Sequence, residues 1–164
     1  MTRPKITRRL IDPANSLAWS AMDFLWPAQL PRLAYGAMAL TLATGGRIIN
    51  IASINALVAG RGIAGRHYEA AKGAIVQLTR AVAADWAAHK ITVNAILPGS
   101  FMTEPNQRWS KIYPEVIERT RSNIPMGDFG QPEDMGPLAV YLASDASRYM
   151  TGAALAIDGG YTLW

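Results

Sequence analysis

Three short apolar runs rich in β-branched residues or alanine occur in the later part of the chain. They are GRIINIAS (46–53), ITVNAIL (91–97) and AALAI (153–157). In the first run the residues are largely apolar on both faces, which is typical of a strand covered on both sides in a parallel sheet. The three runs therefore predict buried parallel strands.

Between the first two predicted strands, apolar residues recur at helical spacing. The segment HYEAAKGAIVQLTRAVAADWAAHK (67–90) places Ala71, Ile75, Leu78 and Val82 on one stripe. This pattern predicts a long helix. Strand, helix and strand together indicate a βαβ unit.

Prolines and glycines punctuate the stretch between the second and third strands. Residues 100–130 include one predicted short helix, YPEVIERTRSN, within a mobile excursion over one end of the sheet. Residues 131–145 begin with a proline and acidic residues, as helix N-termini do. This order of elements predicts an α/β fold, with a Rossmann-like, doubly wound parallel sheet and flanking helices.

The segment before the first strand is harder to interpret. One helix is predicted in LPRLAYGAMALTLATGG, and Trp19, Phe24 and Trp26 fit core or interface anchors better than a ligand platform. The first ten residues contain no acidic residue and no signal-peptide pattern. We expect this start to be disordered or loosely docked.

Composition excludes several classes of site. The chain has no cysteine and only two histidines, so we expect no disulfide, no thiolate catalysis and no metal site. The net charge of +4 comes from Arg3, Lys5, Arg8 and Arg9, so we predict no nucleic-acid partner. No apolar run reaches the roughly 20 residues of a membrane span, so we expect a soluble, cytoplasmic protein that does not bind membranes.

Two motifs compete within GRGIAGRHYEAAK, residues 60–72. Gly60, Gly62 and Gly65 spell GxGxxG, the dinucleotide-binding fingerprint. That fingerprint works where a strand delivers a tight turn to a helix N-terminus. Here the predicted strand has already ended near Ser53, so a flexible loop is the better interpretation of the three glycines.

The second motif is YxxxK, formed by Tyr68 and Lys72, which lie four residues apart and therefore share a helix face. A phenol in water loses its proton only near pH ~10, so it needs a nearby cation to act at neutral pH. Lys72 provides that cation. Ser53 follows a strand at the edge where open α/β sheets bind ligands, and its hydroxyl could contact a substrate oxygen or simply cap a turn.

Together these residues resemble the short-chain dehydrogenase/reductase family. The matching segments, in the family's order over about residues 33–164, are GRIINIAS, YEAAK, ITVNAILPGSFMT, GQPEDMGPLAVYLASD and TGAALAIDGG. The resemblance implies an NAD(P)-dependent oxidoreductase that transfers a hydride between nicotinamide and a carbonyl or secondary alcohol. Residues 1–32 would be a divergent, partly disordered segment ahead of the C-terminal half of a Rossmann domain.

The resemblance also implies roles for individual residues. Tyr68 would be the catalytic acid or base, Lys72 its supporting cation and a ribose contact, and Ser53 the hydroxyl that orients the substrate. The nicotinamide side of the cofactor site would be lined by Tyr68, Lys72, Pro98, Gly99, Phe101 and Thr103.

Other parts of the same resemblance concern the surroundings of this site. Residues 104–125 would form a lid over the substrate. Asn94 and Asp158 would be structural.

Part of the family's pattern is absent from the sequence. The TGxxxGxG motif, the NNAG motif and the catalytic asparagine are missing, and Thr44-Gly45-Gly46 does not continue a glycine motif. We therefore expect a Rossmann fold truncated on its N-terminal side, and weak binding of NAD or NADP.

Two classes of function stay open at this point. One is an oxidoreductase acting on a small carbonyl or alcohol. The other is a catalytically silent remnant that serves as an oligomerisation or interaction module. In either class we expect a homo-oligomer through helix 67–90, whose small residues allow close helix approach.

Overall fold

A three-stranded parallel sheet forms the centre of the described part of the chain. The computed structural model describes residues 45–59 and 66–163. Within them β1 (Gly46–Ile51), β2 (Ile91–Pro98) and β3 (Ala154–Ile157) pair in parallel in the order β1-β2-β3. The three predicted strands and the α/β class are confirmed.

The middle strand, β2, is the most buried element, since seven of its eight residues are buried. Ile91 and Val93 pack with Ala83, and Ala95 and Leu97 pack with Val76. Burying one such aliphatic side chain contributes roughly 1.5–3 kcal/mol. This row of side chains holds the helix that follows β1 against the sheet.

That helix, α1, spans Arg66–Trp86, and a 3₁₀ turn, Ala87–His89, continues it. It therefore ends four residues before the predicted boundary. Its buried residues are Val76, Thr79 and Ala83. The predicted stripe was partly wrong, because Leu78 is 40% exposed and the buried face lies about one residue further along.

Two short helices follow β2 where only one was predicted. Helix α2 spans Glu104–Ile112 and α3 spans Pro114–Arg121. Both begin with a proline in their first two positions, where the missing N–H costs no hydrogen bond. The predicted helix coincides with α3, and α2 was missed.

The segment predicted as one helix over residues 131–145 is divided. A 3₁₀ turn, Pro132–Met135, precedes helix α4, Gly136–Ala143, which packs against β1. Gln131 and Asp134 form a capping box in which the Gln131 N–H donates to Asp134 Oδ2 at 2.7 Å. The capped turn fixes where α4 begins.

Helices α1 and α4 lie on opposite faces of the sheet. Asn50 Nδ2 donates to Thr79 Oγ1 on α1 at 2.9 Å, whereas Arg47 donates to the Ser144 carbonyl and pairs with Asp145 beyond α4. Because side chains alternate along a strand, even positions of β1 face α1 and odd positions face α4.

Several predictions lie outside the described residues. They concern the segment before residue 45, with Trp19, Phe24 and Trp26, and the glycines Gly60, Gly62 and Gly65.

Candidate active site

The carboxyl ends of the three parallel strands lie at one edge of the sheet. Ser53 follows β1, Gly99 follows β2 and Asp158 follows β3. Open α/β sheets bind their ligands outside this edge. The residues predicted from the sequence are therefore distributed around a single sheet edge.

Ser53 caps a turn at this edge. It is 8% exposed and precedes a 3₁₀ turn, Ile54–Ala56, whose Asn55 N–H donates to Ser53 Oγ at 3.2 Å. Ser53 therefore caps the turn after β1, which is one of the two roles considered for it from the sequence. Accepting this bond uses one lone pair of the oxygen and leaves the hydroxyl hydrogen for another acceptor.

Tyr68 and Lys72 come together on the first turns of α1. Lys72 Nζ lies 5.6 Å from the centre of the Tyr68 ring, within the range of a cation–π contact. Tyr68 is 44% exposed, so its ring is open to a ligand. The four-residue spacing therefore places the ammonium over the phenol ring, and its role as supporting cation of the hydroxyl stays a prediction.

Lys72 also connects the helix to the sheet. Its Nζ donates to the Ile51 carbonyl oxygen at 3.1 Å, two residues before Ser53. This bond holds the ammonium at the carboxyl end of β1. Serine, lysine and tyrosine are thereby placed in one neighbourhood, and the Lys72–Ile51 contact is the one that sequence patterns did not indicate.

Gly99, directly after Pro98, is required by the packing of the sheet edge. Its N–H donates to the Ile157 carbonyl at 2.8 Å. A Cβ at this position would lie 2.6 Å from the Asp158 Cα, a separation that real Cβ atoms essentially never show. The glycine keeps the end of β2 close to the end of β3, whatever else it contacts.

Phe101 anchors the start of the excursion that follows β2. It forms an isolated bridge with Gly130, in which the Met102 N–H donates to the Gly130 carbonyl at 2.8 Å. The Phe101 carbonyl accepts from Asn106 Nδ2 at 2.7 Å and from the Thr103 N–H. Among the residues that the structure describes, the Phe101 N–H has no hydrogen-bond acceptor.

Thr103 is the N-cap residue of α2, with φ −75° and ψ 165°. Its side chain makes no capping hydrogen bond. The ligand contact expected for this threonine stays a prediction.

Asn94 and Asp158 form local hydrogen-bond networks, as expected of structural residues. Asn94 is 1% exposed; its Nδ2 donates to the Met150 carbonyl at 2.9 Å and its Oδ1 accepts from the Ala153 N–H at 3.0 Å. The Asp158 carboxylate accepts from the N–H groups of Gly160 and Thr162. Both side chains shape the loops around β3.

The excursion after β2 is anchored again at its far end. The Met126 N–H donates to the Gly159 carbonyl at 3.0 Å, and Tyr161 packs against both the main core and a cluster of Ile117, Ile124 and Phe129. Helices α2 and α3 lie between the two anchors. Of their residues only Ile117 is buried.

An ion-pair cluster connects α3 to the loop that returns to the sheet. Arg121 Nε donates to Asp128 Oδ1 at 3.2 Å, and Arg121 Nη1 donates to Glu118 Oε2 at 2.6 Å. The Phe129 backbone N–H and then Arg121 lower the pKa of Asp128 below its ordinary value. Asp128 and Glu118 raise the pKa of Arg121.

The described part of the chain contains neither a metal-binding cluster nor a membrane-spanning helix. No group of three or more His, Cys, Asp or Glu residues there is arranged to hold a metal ion. No helix in that part is both long and apolar enough to cross a membrane.

Comparison with known proteins gives a consistent picture. The family model described as Enoyl-(Acyl carrier protein) reductase matches residues 30–162. Galactitol 2-dehydrogenase (L-tagatose-forming) from Cereibacter sphaeroides is 43% identical over 73% of this chain and 46% of its own. NAD-dependent glycerol dehydrogenase from Listeria innocua is 41% identical over 73% of this chain and 45% of its own.

Solved structures agree with the sequence relatives. A putative NAD(P)-dependent gluconate 5-dehydrogenase from Beutenbergia cavernae, solved with bound NADP, superimposes with a TM-score of 0.69 and 41% identity. The match covers 76% of this chain and 49% of that one. The chain thus spans about half the length of the relatives it matches. On these matches the chain belongs to the short-chain dehydrogenase/reductase family.

Proposed function

We propose that this chain carries the catalytic half of an NAD(P)-dependent oxidoreductase that interconverts a carbonyl and a secondary alcohol. The observation that carries the proposal is the pairing of Tyr68 with Lys72 beside Ser53 at the carboxyl edge of the sheet. An edge with a phenol, an ammonium and a hydroxyl is suited to moving a proton to or from a substrate oxygen.

Tyr68 is the proton donor or acceptor in this mechanism. In reduction its Oη gives a proton to the substrate oxygen as the carbonyl becomes an alcohol, and in oxidation it removes the hydroxyl proton. The nearby Lys72 ammonium stabilises the phenolate that forms in the first case. The half-exposed ring allows a substrate to reach the hydroxyl.

Ser53 orients the substrate oxygen. Its hydroxyl hydrogen is free to bond that oxygen while its own oxygen caps Asn55. Because the capping bond restrains the serine, its hydroxyl is held in place before a substrate arrives. A hydroxyl that is positioned in advance stabilises the negative charge that develops on the substrate oxygen during hydride transfer.

The residues at the sheet edge fit the nicotinamide end of the cofactor. When bound, nicotinamide supplies or accepts the hydride. Lys72 offers an ammonium, Thr103 a hydroxyl that does not cap α2, and Phe101 a backbone N–H, alongside Pro98 and Gly99. These are donors of the kind that ribose oxygens and a carboxamide accept.

The proposal extends to the size and the chemical class of the substrate. Relatives are named as dehydrogenases of galactitol, glycerol and gluconate. We therefore propose a small polyhydroxylated alcohol or the matching ketone as substrate, covered by residues 104–125. As part of the same proposal, the protein works in the cytoplasm, where both nicotinamide cofactors are available.

Cofactor binding by this chain alone should be weak. The sequence carries no glycine-rich turn between a strand and a helix that could hold the pyrophosphate, apart from the displaced glycines at 60–65. Each hydrogen bond to a charged group contributes about 1.5–3 kcal/mol, or roughly 10- to 150-fold in affinity.

Titration of the full chain with NADH and NADPH, followed by nicotinamide fluorescence, tests this. We expect dissociation constants far above the micromolar range. Micromolar affinity would contradict the argument from the missing motif. Catalysis itself is tested at millimolar cofactor with galactitol, glycerol and gluconate, and with the corresponding ketones. A complete lack of turnover under these conditions would favour the alternative, a catalytically silent oligomerisation or interaction module.

A further inference from the structure

Helix α2, which follows β2 beyond the carboxyl edge of the sheet, carries two exposed aromatic side chains. Trp109 is 50% exposed, and Tyr113, the residue that ends α2, is 48% exposed. Their rings meet edge to face, with ring centroids 5.8 Å apart and ring planes at 64°. The two side chains therefore form one aromatic surface, which we call the aromatic pair.

The aromatic pair lies on the face of α2 that is anchored to the sheet edge. Asn106 Nδ2 donates to the Phe101 carbonyl at 2.7 Å, and this bond turns its side of the helix toward the end of β2. Trp109 and Tyr113 follow Asn106 by three and seven residues, so they share its face. Ser110 belongs to the same face and, like Asn106, is partly buried. The aromatic pair is thus directed toward the carboxyl edge of the sheet.

The charged residues of α2 lie on the opposite side of the helix. Glu104 and Arg108 form an ion pair at 3.6 Å, and Lys111 continues the same side. All three residues are exposed. The face that carries the aromatic pair therefore has only neutral side chains, which suits a neutral ligand.

Tryptophan and tyrosine side chains can bind both the carbon atoms and the hydroxyl groups of a polyol. The face of each ring is negatively polarised and attracts C–H groups, which a polyol carries on every carbon. The indole N–H and the phenol O–H form hydrogen bonds with hydroxyl groups. An aliphatic surface would offer only apolar contact. The aromatic pair therefore fits a polyhydroxylated chain.

The aromatic pair lies beyond the residues proposed to handle the reacting carbon. Ser53 directly follows β1, and Tyr68 is on the first turn of α1. Trp109 and Tyr113 lie about 4.5 Å and about 10 Å along the axis of α2 from its anchor at Asn106, at roughly 1.5 Å per residue. We therefore expect the pair to contact substrate carbons away from the reacting one.

We propose that Trp109 and Tyr113 determine substrate chain length by binding the distal carbons of a polyol, so that the site selects six-carbon polyols over glycerol. A six-carbon polyol extends several carbons beyond the reacting one, whereas glycerol extends at most two. Relatives are named as dehydrogenases of galactitol and of glycerol, so chain length differs among similar proteins. The proposal rests on the proposed function, because it specifies the substrate of that same site.

The indole N–H resonance of Trp109 in the NMR spectrum of the full chain provides the first test. The chain has five tryptophans, and the resonance that is lost in Trp109→Phe is that of Trp109. With millimolar NAD present, galactitol should shift this resonance in a saturable manner, and glycerol at the same concentration should leave it unchanged. No shift with galactitol, or an equal shift with glycerol, would overturn the proposal.

Truncation variants provide the second test, with galactitol affinity measured from backbone amide shifts at the sheet edge. Trp109→Ala should weaken galactitol binding at least about 10-fold, and Trp109→Phe, which keeps a ring, should weaken it less. The matched control is Tyr149→Ala, which removes a fully exposed ring ahead of β3, at the amino end of the sheet. This control should leave galactitol binding unchanged.

Thermal unfolding checks that each variant folds, and Tyr113→Ala replaces Trp109→Ala if the latter does not fold. Galactitol affinity that is unaffected by loss of the ring, or lowered equally by the control, would overturn the proposal. Binding is measured without turnover. Galactitol binding at Trp109 without any oxidation would therefore remove the proposed function and leave the aromatic pair as a polyol site. Oxidation of galactitol that does not depend on the aromatic pair would do the reverse.

Discussion

Lys72 makes two contacts, of which the sequence could predict only one. The spacing to Tyr68 follows from helix geometry, since residues four apart share a face. The bond to the Ile51 carbonyl depends on where β1 ends relative to α1, which no local pattern encodes. Ser53 is similar: its place after a strand was predictable, but the bond from Asn55 depends on the 3₁₀ turn that follows.

Gly99 offers a test of packing at the residue scale. Gly99→Ala would push a methyl group against the backbone of Asp158, so the free energy of unfolding should fall by about 1–3 kcal/mol. The matched control is Gly73→Ala in α1, where a Cβ meets nothing within 4 Å. That change should raise stability by about 0.5–1 kcal/mol. Chemical denaturation measures both, and equal effects would contradict the packing argument.

Elements with strong periodicity were predictable from the sequence, and those defined by capping were not. The strands and α1 follow from β-branched runs and apolar spacing. Helix α2 was missed because Pro105 was interpreted as a break, although proline is favoured at a helix start. The stripe on α1 was shifted by about one residue because alanines and small residues occupy both of its faces.

The exposed face of α1 is the surface proposed for self-association. Leu78 is 40% exposed, and the neighbouring Ala81 and Ala84 are exposed as well, so a second copy of the helix could approach closely. We expect a dimer by light scattering and a monomer for Leu78→Arg. The control, Ile112→Arg on α2, should stay dimeric. A monomeric wild-type chain would contradict this proposal.

The stability of the loop after α3 should depend on pH through the titration of Asp128. Its folded-state pKa lies below the ordinary value of 3.8, so its contribution to stability is present above pH 3.8 and is lost as the pH falls through the lowered pKa. Carboxyl chemical shifts should therefore titrate below 3.8. In Arg121→Gln the midpoint should return only part of the way, because the Phe129 N–H is the larger cause. A midpoint at or above 3.8 in the wild type would contradict this.

At the scale of the whole molecule, the described part of the chain places the candidate active-site residues at one edge of a three-stranded sheet. The described residues hold three parallel strands, and the matched relatives are about twice as long. In the sequence, the missing glycine motif already indicated that the chain matches only part of the family fold. Sequence patterns could not indicate that Val140 and Tyr141 of α4 are exposed, because an apolar helix looks the same in sequence whether or not something covers it.

The central claim is that Tyr68 transfers a proton during nicotinamide-dependent reduction, and Tyr68→Phe tests it most directly. The measurement is the rate of carbonyl reduction at millimolar NADH or NADPH, for wild type and variant side by side. We predict a loss of about 10²- to 10⁴-fold with an unchanged melting temperature, because only the hydroxyl of a half-exposed side chain is removed. A variant that keeps a rate within about 10-fold of the wild type would contradict the account.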